Sequence, residues 1–220
     1  MAAAVSKRDA GQAFPAYVAV VAGLLFLAFV YFAFGQAAIT RGGAQTAADA
    51  AALAAAQDAR SQLRDRWLGV LADPAEWERY LRGDGYDEVS ACRSAASFAA
   101  RNEAEIPSGG CASFSARPDE GFKVTVRTTG TVGRSIIPGT ESRHATASAE
   151  AVLKPRCTFD PPEPTQEPTP PEPTEEPTPP EPDEEEPILG LVCGGEPWEI
   201  DPGNPVLPGA SDLFAVQLSD

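Results

Sequence analysis

FPAYVAVVAGLLFLAFVYFAF, residues 14–34, runs through GQAAITRGGAQ into TAADAAALAAA, residues 46–56. From Ala10 to Ile39 Tyr17 and Tyr31 are the only ionisable side chains. At ~1.5 Å per helical residue the apolar run is long enough to cross a hydrocarbon layer of ~30 Å. The reading is a transmembrane helix over residues 14–39. Lys7 and Arg8 precede it, and the positive-inside tendency therefore puts residues 1–13 in the cytoplasm and the rest of the chain outside. Arg41 weakens that bias without reversing it. A cleaved signal peptide would have an apolar core of only ~7 to 15 residues and small side chains before the cut. Ala33-Phe34-Gly35 is the nearest candidate cleavage site, but Tyr31, Phe32 and Phe34 crowd it, so a retained single-pass anchor is expected.

The formal net charge of −15 is concentrated in the last third. Residues 1–154 carry 16 acidic and 16 basic side chains, whereas residues 155–220 carry 16 acidic and only Arg156. Such a tail repels nucleic acid and anionic lipid, so nucleic acid is not an expected partner. Residues 155–187 hold 13 of the 22 prolines, with a nine-residue period visible in EPTPPEPT (167–174) and EPTPPEPD (176–183). Proline withholds the N–H that helices and ladders need, and like charges repel. The expectation is therefore an acidic, disordered, polyproline-like segment. A spacer or projecting loop is the plain reading; a glycosylated stalk using Thr165, Thr169, Thr174 and Thr178 is the sharper one.

Cys92, Cys111, Cys157 and Cys193 all fall on the outer side of the proposed membrane. An even number of cysteines in an oxidising place points to two disulfides, with three connectivities. Zinc is disfavoured by the absence of any C-x-x-C pair and the presence of a single histidine. The favoured pairs are Cys92 with Cys111 and Cys157 with Cys193. The second would gather the ends of the Pro-rich segment into a displayed loop.

Residues 40–154 read as a small α+β domain. Alanine is the best helix former, and Leu63, Trp67, Val70 and Leu71 recur on one face, so a helix is expected from Gln45 to about Leu71, continuing outward from the span. Gly42-Gly43 is a candidate hinge within it. Asp73-Pro74-Ala75-Glu76 has the form of a helix start, with Asp73 as N-cap. A further helix is expected from Asp87 to about Asn102, with Val89, Cys92, Ala96 and Ala99 near one face.

Alternation then marks strands. Phe122, Val124 and Val126 share one face of 121–129, and Ala145, Ala147, Ala149, Ala151 and Leu153 share one face of 144–153. The alanine row leaves room for a helix to approach closely, and the alanine-rich helix is the expected partner. Cys111–Ala116 and residues 213–218 are the expected edge strands, the latter within a C-terminal segment, residues 188–220. Residues 196–210, with four prolines, read as irregular. The fold class is thus α+β: an N-terminal transmembrane helix continuing into an alanine-rich helix packed on a small antiparallel sheet, with a disordered Pro-rich loop.

A membrane span leading into a polar-Thr-Ala-Ala-Asp-Ala-Ala-Ala-Leu-Ala-Ala-Ala segment resembles the TadE/TadG-like family of Flp/Tad pilus assembly proteins. The likeness covers about residues 10–60, is most specific at 48–54, and has a weaker echo at 121–151. It implies a non-catalytic, pseudopilin-like component of a pilus or related secretion apparatus. Such a component is inserted in the cell membrane by its N-terminal helix, with its domain extracytoplasmic. Its implied partners are the membrane, other proteins of the apparatus and copies of itself. Ala48, Asp49, Ala51, Ala52, Leu53 and Ala54 form the implied assembly helix. Pilins cut by prepilin peptidase have a Gly before the cleaved bond and a Glu five residues into the mature chain. Here Gly11 is followed by Gln12, Ala13, Phe14, Pro15 and Ala16, a departure that argues against such processing. Small residues also let helices pack closely within lipid, which suits lateral assembly; the competing use of the same alanines is packing on the chain's own sheet.

No catalytic site, cofactor or metal is expected. His144 is the single histidine and points away from the alanine face, and no phosphate-loop, HExxH or GxSxG motif occurs. Gly109-Gly110 and Gly194-Gly195 read as turns beside cysteines. The alternative to an assembly component is a membrane-anchored surface or cell-wall-binding module that presents the Pro-rich segment as a stalk. A secreted enzyme is a distant third.

Overall fold

The computed structural model describes residues 13–116, 119–131, 142–161, 187–201 and 203–219. Its backbone is dominated by one helix, α1 (Ala13–Gly69). Gly42-Gly43 does not interrupt it, contrary to the hinge expected there. A mid-helix glycine costs only about 1 kcal/mol relative to alanine. The alanine-rich turns that follow offset that cost, and Thr46 Oγ1 donates back to the Gly42 carbonyl at 3.1 Å.

Beyond α1 the chain turns at Asp73-Pro74-Ala75-Glu76. The new helix begins as a 3-10 turn, Pro74–Glu76, and Asp73 makes no side-chain cap. It runs into the short α2 (Trp77–Leu81). Next comes α3 (Glu88–Arg101), capped by Asp87, whose carboxylate accepts from the Val89 N–H. The face that α3 buries is Ala91, Ala95 and Ala99. This corrects the expected face of Val89, Cys92, Ala96 and Ala99: Val89 is 67% exposed and Ala96 is exposed. The reason is size. An i, i+4, i+8 row of alanines lets α3 lie close against the equally small side chains of α1, while Cys92 turns toward the sheet.

The main sheet is antiparallel and five-stranded. Strand β3 (Asp119–Thr131) pairs with β4 (His144–Pro155) on one side and with both β1 (Ala104–Glu105) and β2 (Cys111–Ala116) on the other. The far edge is β8 (Phe214–Leu218), which follows the single-turn α4 (Ala210–Leu213) and pairs with β4. The register places Phe122 opposite Ala151, Val124 opposite Ala149 and Val126 opposite Ala147. Large therefore faces small across the central pair. The alanine side leaves a shallow channel that α1 fills, as the alternation implied. Gly121 is required in β3: a Cβ there would lie 2.5 Å from the Ala151 carbonyl oxygen and 2.6 Å from the Phe114 ring.

A second, three-stranded sheet was not anticipated. It consists of β5 (Cys157–Phe159), β6 (Ile188–Cys193) and β7 (Glu196–Ile200), in that order. Residues 196–200 are therefore a strand rather than irregular chain. Pro197 is compatible with it because β7 is an edge, where a missing N–H need not break a ladder. Gly194 and Gly195 make the two-residue turn between β6 and β7, both at positive φ. The Pro-rich stretch read as starting at 155 begins later, since Pro155 ends β4 and 157–159 form β5. Its remainder, residues 162–186 with the four threonines named above, lies outside the described residues, as do residues 1–12.

The two sheets share one core along α1. Trp67 packs edge-on against Trp77 (5.2 Å between ring centroids), and Trp77 in turn meets Phe159 at 4.8 Å. The small sheet is thus seated at the C-terminal end of α1. Two disulfides close the fold, Cys92–Cys111 between α3 and β2 and Cys157–Cys193 between β5 and β6.

Candidate assembly surface

At ~1.5 Å per residue, the 57 residues of α1 extend about 85 Å. The helix has two halves with opposite surroundings. Phe14–Phe32 is 19 residues of apolar sequence, none of it buried by the rest of the protein. Its phenylalanines, tyrosines and leucines point outward all round, as in Phe29 (64% exposed) and Tyr31 (83%). By length and composition this half can cross a bilayer, and its uniform exposure lacks the one-sided apolar stripe of a helix lying on a soluble core.

The second half is covered. Ala48, Ala51 and Ala52 have no exposed surface, Ala54 is 5% exposed, and Ala55, Ala56 and Ala59 are fully buried. Leu53 and Asp49 are half-buried. The side chains read as an assembly helix therefore spend their surface on the chain's own β3, β4 and α3. Between the halves, a Cβ added at Gly35, Gly42 or Gly43 would meet no heavy atom within 4 Å, so this part of the helix stands clear of the domain.

Polar groups hold the packed half in register. Asp58 accepts from Gln62 Nε2 (2.6 Å) and from Ser94 Oγ (2.9 Å), while Gln62 Oε1 accepts the Asp87 N–H (2.7 Å), tying α1 to the cap of α3. Nearer the free half, the Gln45 amide donates to Asp49 Oδ1 at 2.8 Å and reaches the Ser148 carbonyl at 3.5 Å. Gln45 and Asp49 line a cleft of about 440 Å³ with Lys123, Ser148, Glu150 and Ser219. Sequence reasoning passed over this cleft, since it depends on the alignment of a helix with a strand about a hundred residues away.

His144 is half-buried with Nδ1 at 2.7 Å from the Thr128 carbonyl oxygen, an anchor for the start of β4. Among the described residues no group of histidine, cysteine or carboxylate side chains is disposed to hold a metal ion. Tyr86, packed on Phe122, has its phenol pushed above the ordinary range. Burial is the main cause; Glu120, Glu88 and Asp84 add to it, and a hydrogen bond with Ser113 opposes it.

The boundary between the two halves also falls inside a recognised family pattern. Residues 11–58 match the family model described as putative Flp pilus-assembly TadE/G-like. The Tad-like match thus spans the whole uncovered half of α1 and the buried alanine turns up to Asp58, and it supports a pilus-related role. The sheets, the disulfides and the Pro-rich segment fall outside it. No curated protein and no solved structure gives a match to the chain.

Proposed function

We propose that the protein is a non-catalytic, membrane-anchored component of a Flp/Tad pilus or related secretion apparatus, assembling with its neighbours through the N-terminal half of α1. The observation that carries this reading is the coincidence of the Tad-like match with a helix whose apolar half has no partner within the chain. In this reading residues 14–39 lie in the cell membrane with the N-terminus cytoplasmic. The domain stands outside, where both disulfides can form. Lateral contact falls to residues 14–43, since the alanines from 47 to 59, Ala50 excepted, are occupied by the chain's own core.

The test is site-directed crosslinking in native membranes. A cysteine placed at Ala28 should form dimers on mild oxidation, and adding Gly35→Leu to the same chain should abolish those dimers while the domain's unfolding midpoint stays put. Extraction of the unmodified protein by alkaline carbonate would sink the anchor.

A second reading, a surface-binding module, draws support from β5 and β6. They bring Phe159 and Leu191 opposite each other, so residues 162–186 leave and rejoin the domain at one place, at the end of α1 far from Phe14. Deleting residues 162–186 should then abolish surface binding and leave crosslinking intact.

A further inference from the structure

The direction of β4 along α1 is fixed at two levels. The Ser148 carbonyl accepts from the Gln45 amide at 3.5 Å, and farther on Phe159 meets Trp77, which packs on Trp67. Ser148 to Phe159 is about 36 Å of extended chain and Gln45 to Trp67 about 33 Å of helix, so strand and helix run side by side in the same direction. Traced the other way, from Ser148 to His144, β4 descends about 13 Å toward the apolar half of α1, the rise of about nine helical residues. His144 therefore stands level with the turns of α1 between Gly35 and Thr40. β3 descends with it, because Arg127 pairs with Thr146 and Thr131 with His144. The burial of α1 agrees: Ala44 is fully buried and Thr40 half-buried, while Gly35 and Gly42 lie on the opposite face of the helix. The chain leaving α3 arrives at the same end, where the Glu103 carbonyl accepts from the Thr129 N–H at 2.8 Å.

In the anchor reading proposed above, on which this rests, that level is the outer headgroup layer, just past the apolar run of residues 14–34. We infer that this end of the domain, made of the close of β3, the start of β4 and Arg41 of α1, is a docking face for the anionic phospholipid headgroups of the bilayer the span crosses. The described charges here are Arg41, Arg101, Arg127 and Arg143 against Glu103 and Glu105, and all six are exposed. A guanidinium donates two parallel N–H bonds to a phosphate, a geometry suited to a lipid headgroup. Charge is also sorted along the molecule. Residues 162–186, acidic and without a basic side chain, attach where Phe159 pairs with Leu191, at the end of α1 far from Phe14. Their repulsion from an anionic surface and the attraction of the arginines therefore turn the domain the same way. Docking holds α1 tilted toward the β3–β4 side and leaves the opposite face, with Gly35 and Gly42, to neighbouring molecules.

The experiment places the full chain in lipid nanodiscs with a fluorophore on Ser142→Cys, beside Arg143, and a phospholipid spin-labelled on its headgroup as quencher. Discs of phosphatidylcholine alone are compared with discs containing about a quarter phosphatidylglycerol. Quenching is expected to be at least about twofold stronger in the anionic discs. It should fall to the neutral-disc level in the Arg127→Gln, Arg143→Gln double variant and in about 1 M salt, where the Debye length is only about 3 Å. Unfolding midpoints check the variants, and the salt comparison decides alone if the double variant fails to fold. Equal quenching in the two kinds of disc, or quenching indifferent to salt, would overturn the inference. So would a label on Glu196→Cys, at the far end of the domain, quenched as strongly as the one at position 142. A chain that enters the discs with its Ser142→Cys label unquenched sinks the inference alone; one that fails to enter them sinks the anchor with it.

Discussion

From Phe14 to Phe32, α1 carries phenylalanine, tyrosine, leucine and valine, and the protein buries none of them. From Ala44 to Ala59 it carries ten alanines, and it buries all but Ala50. The half with more apolar area per residue is the half left uncovered. Size explains the inversion. Large side chains gain most from an apolar surrounding, which lipid would supply in the anchor reading proposed above, whereas a methyl group gains little from burial by itself but lets another backbone come close. In the second half the large partners come from elsewhere: Phe122, Val124 and Val126 from β3, and Trp77 from α2.

The widest separation between the halves should appear on truncation of an aromatic ring. Trp67→Ala should cost the domain about 3–5 kcal/mol in denaturant unfolding, whereas Phe29→Ala, in the free half, should leave that transition within about 0.5 kcal/mol of the parent. A large loss from Phe29→Ala would break the distinction.

Next in size is the small sheet's attachment to the packed half. Replacing both Cys157 and Cys193 by alanine should cost about 2–4 kcal/mol. Proteolysis within residues 162–186 should then release a separate C-terminal piece without reductant, whereas the parent chain should need reductant to come apart. Smaller again is overpacking. Ala51→Leu should cost the domain about 1–3 kcal/mol, and Gly35→Leu nothing measurable in the same assay. Loss of assembly in Ala51→Leu would accordingly report a damaged core, and loss in Gly35→Leu a damaged contact between molecules.

The mildest effect is a pH dependence belonging to the packed half. The Tyr86 phenol has a raised pKa in the folded state, so its contribution to stability is fully present below about pH 10 and is lost as pH rises through the raised value. Unfolding followed from neutral to alkaline pH should show a steeper decline for the parent than for Tyr86→Phe.

The apolar run and the alanine row were legible because each is a strong local signal of helix. The alternation at 121–129 and 144–153 was equally plain, and with it the meeting of alanine strand and alanine helix. Other features turned on three-dimensional competition. Val89 was read on one face with Ala99, but Ala91 and Ala95 take the helix contact beside Ala99 because the α1 surface is itself small. Residues 196–200 looked irregular because Pro197 weighs against a strand, and only an edge position with a Gly194-Gly195 turn before it makes the strand acceptable. Of the candidate surface, the free half of α1 was readable from residues 14–39, and the cleft beside Asp49 was not. Nothing in the spacing of Gln45, Ser148 and Ser219 reveals that the fold brings them together.

The pairing of β5 with β6 has an evolutionary side. Because Phe159 and Leu191 are neighbours in one small sheet, the chain between them can gain or lose nine-residue units without moving either attachment point. Each doubling of such a loop costs only about 0.6 kcal/mol of closure entropy. Repeat number can therefore drift or respond to selection as an independent variable, while the domain that carries it stays the same.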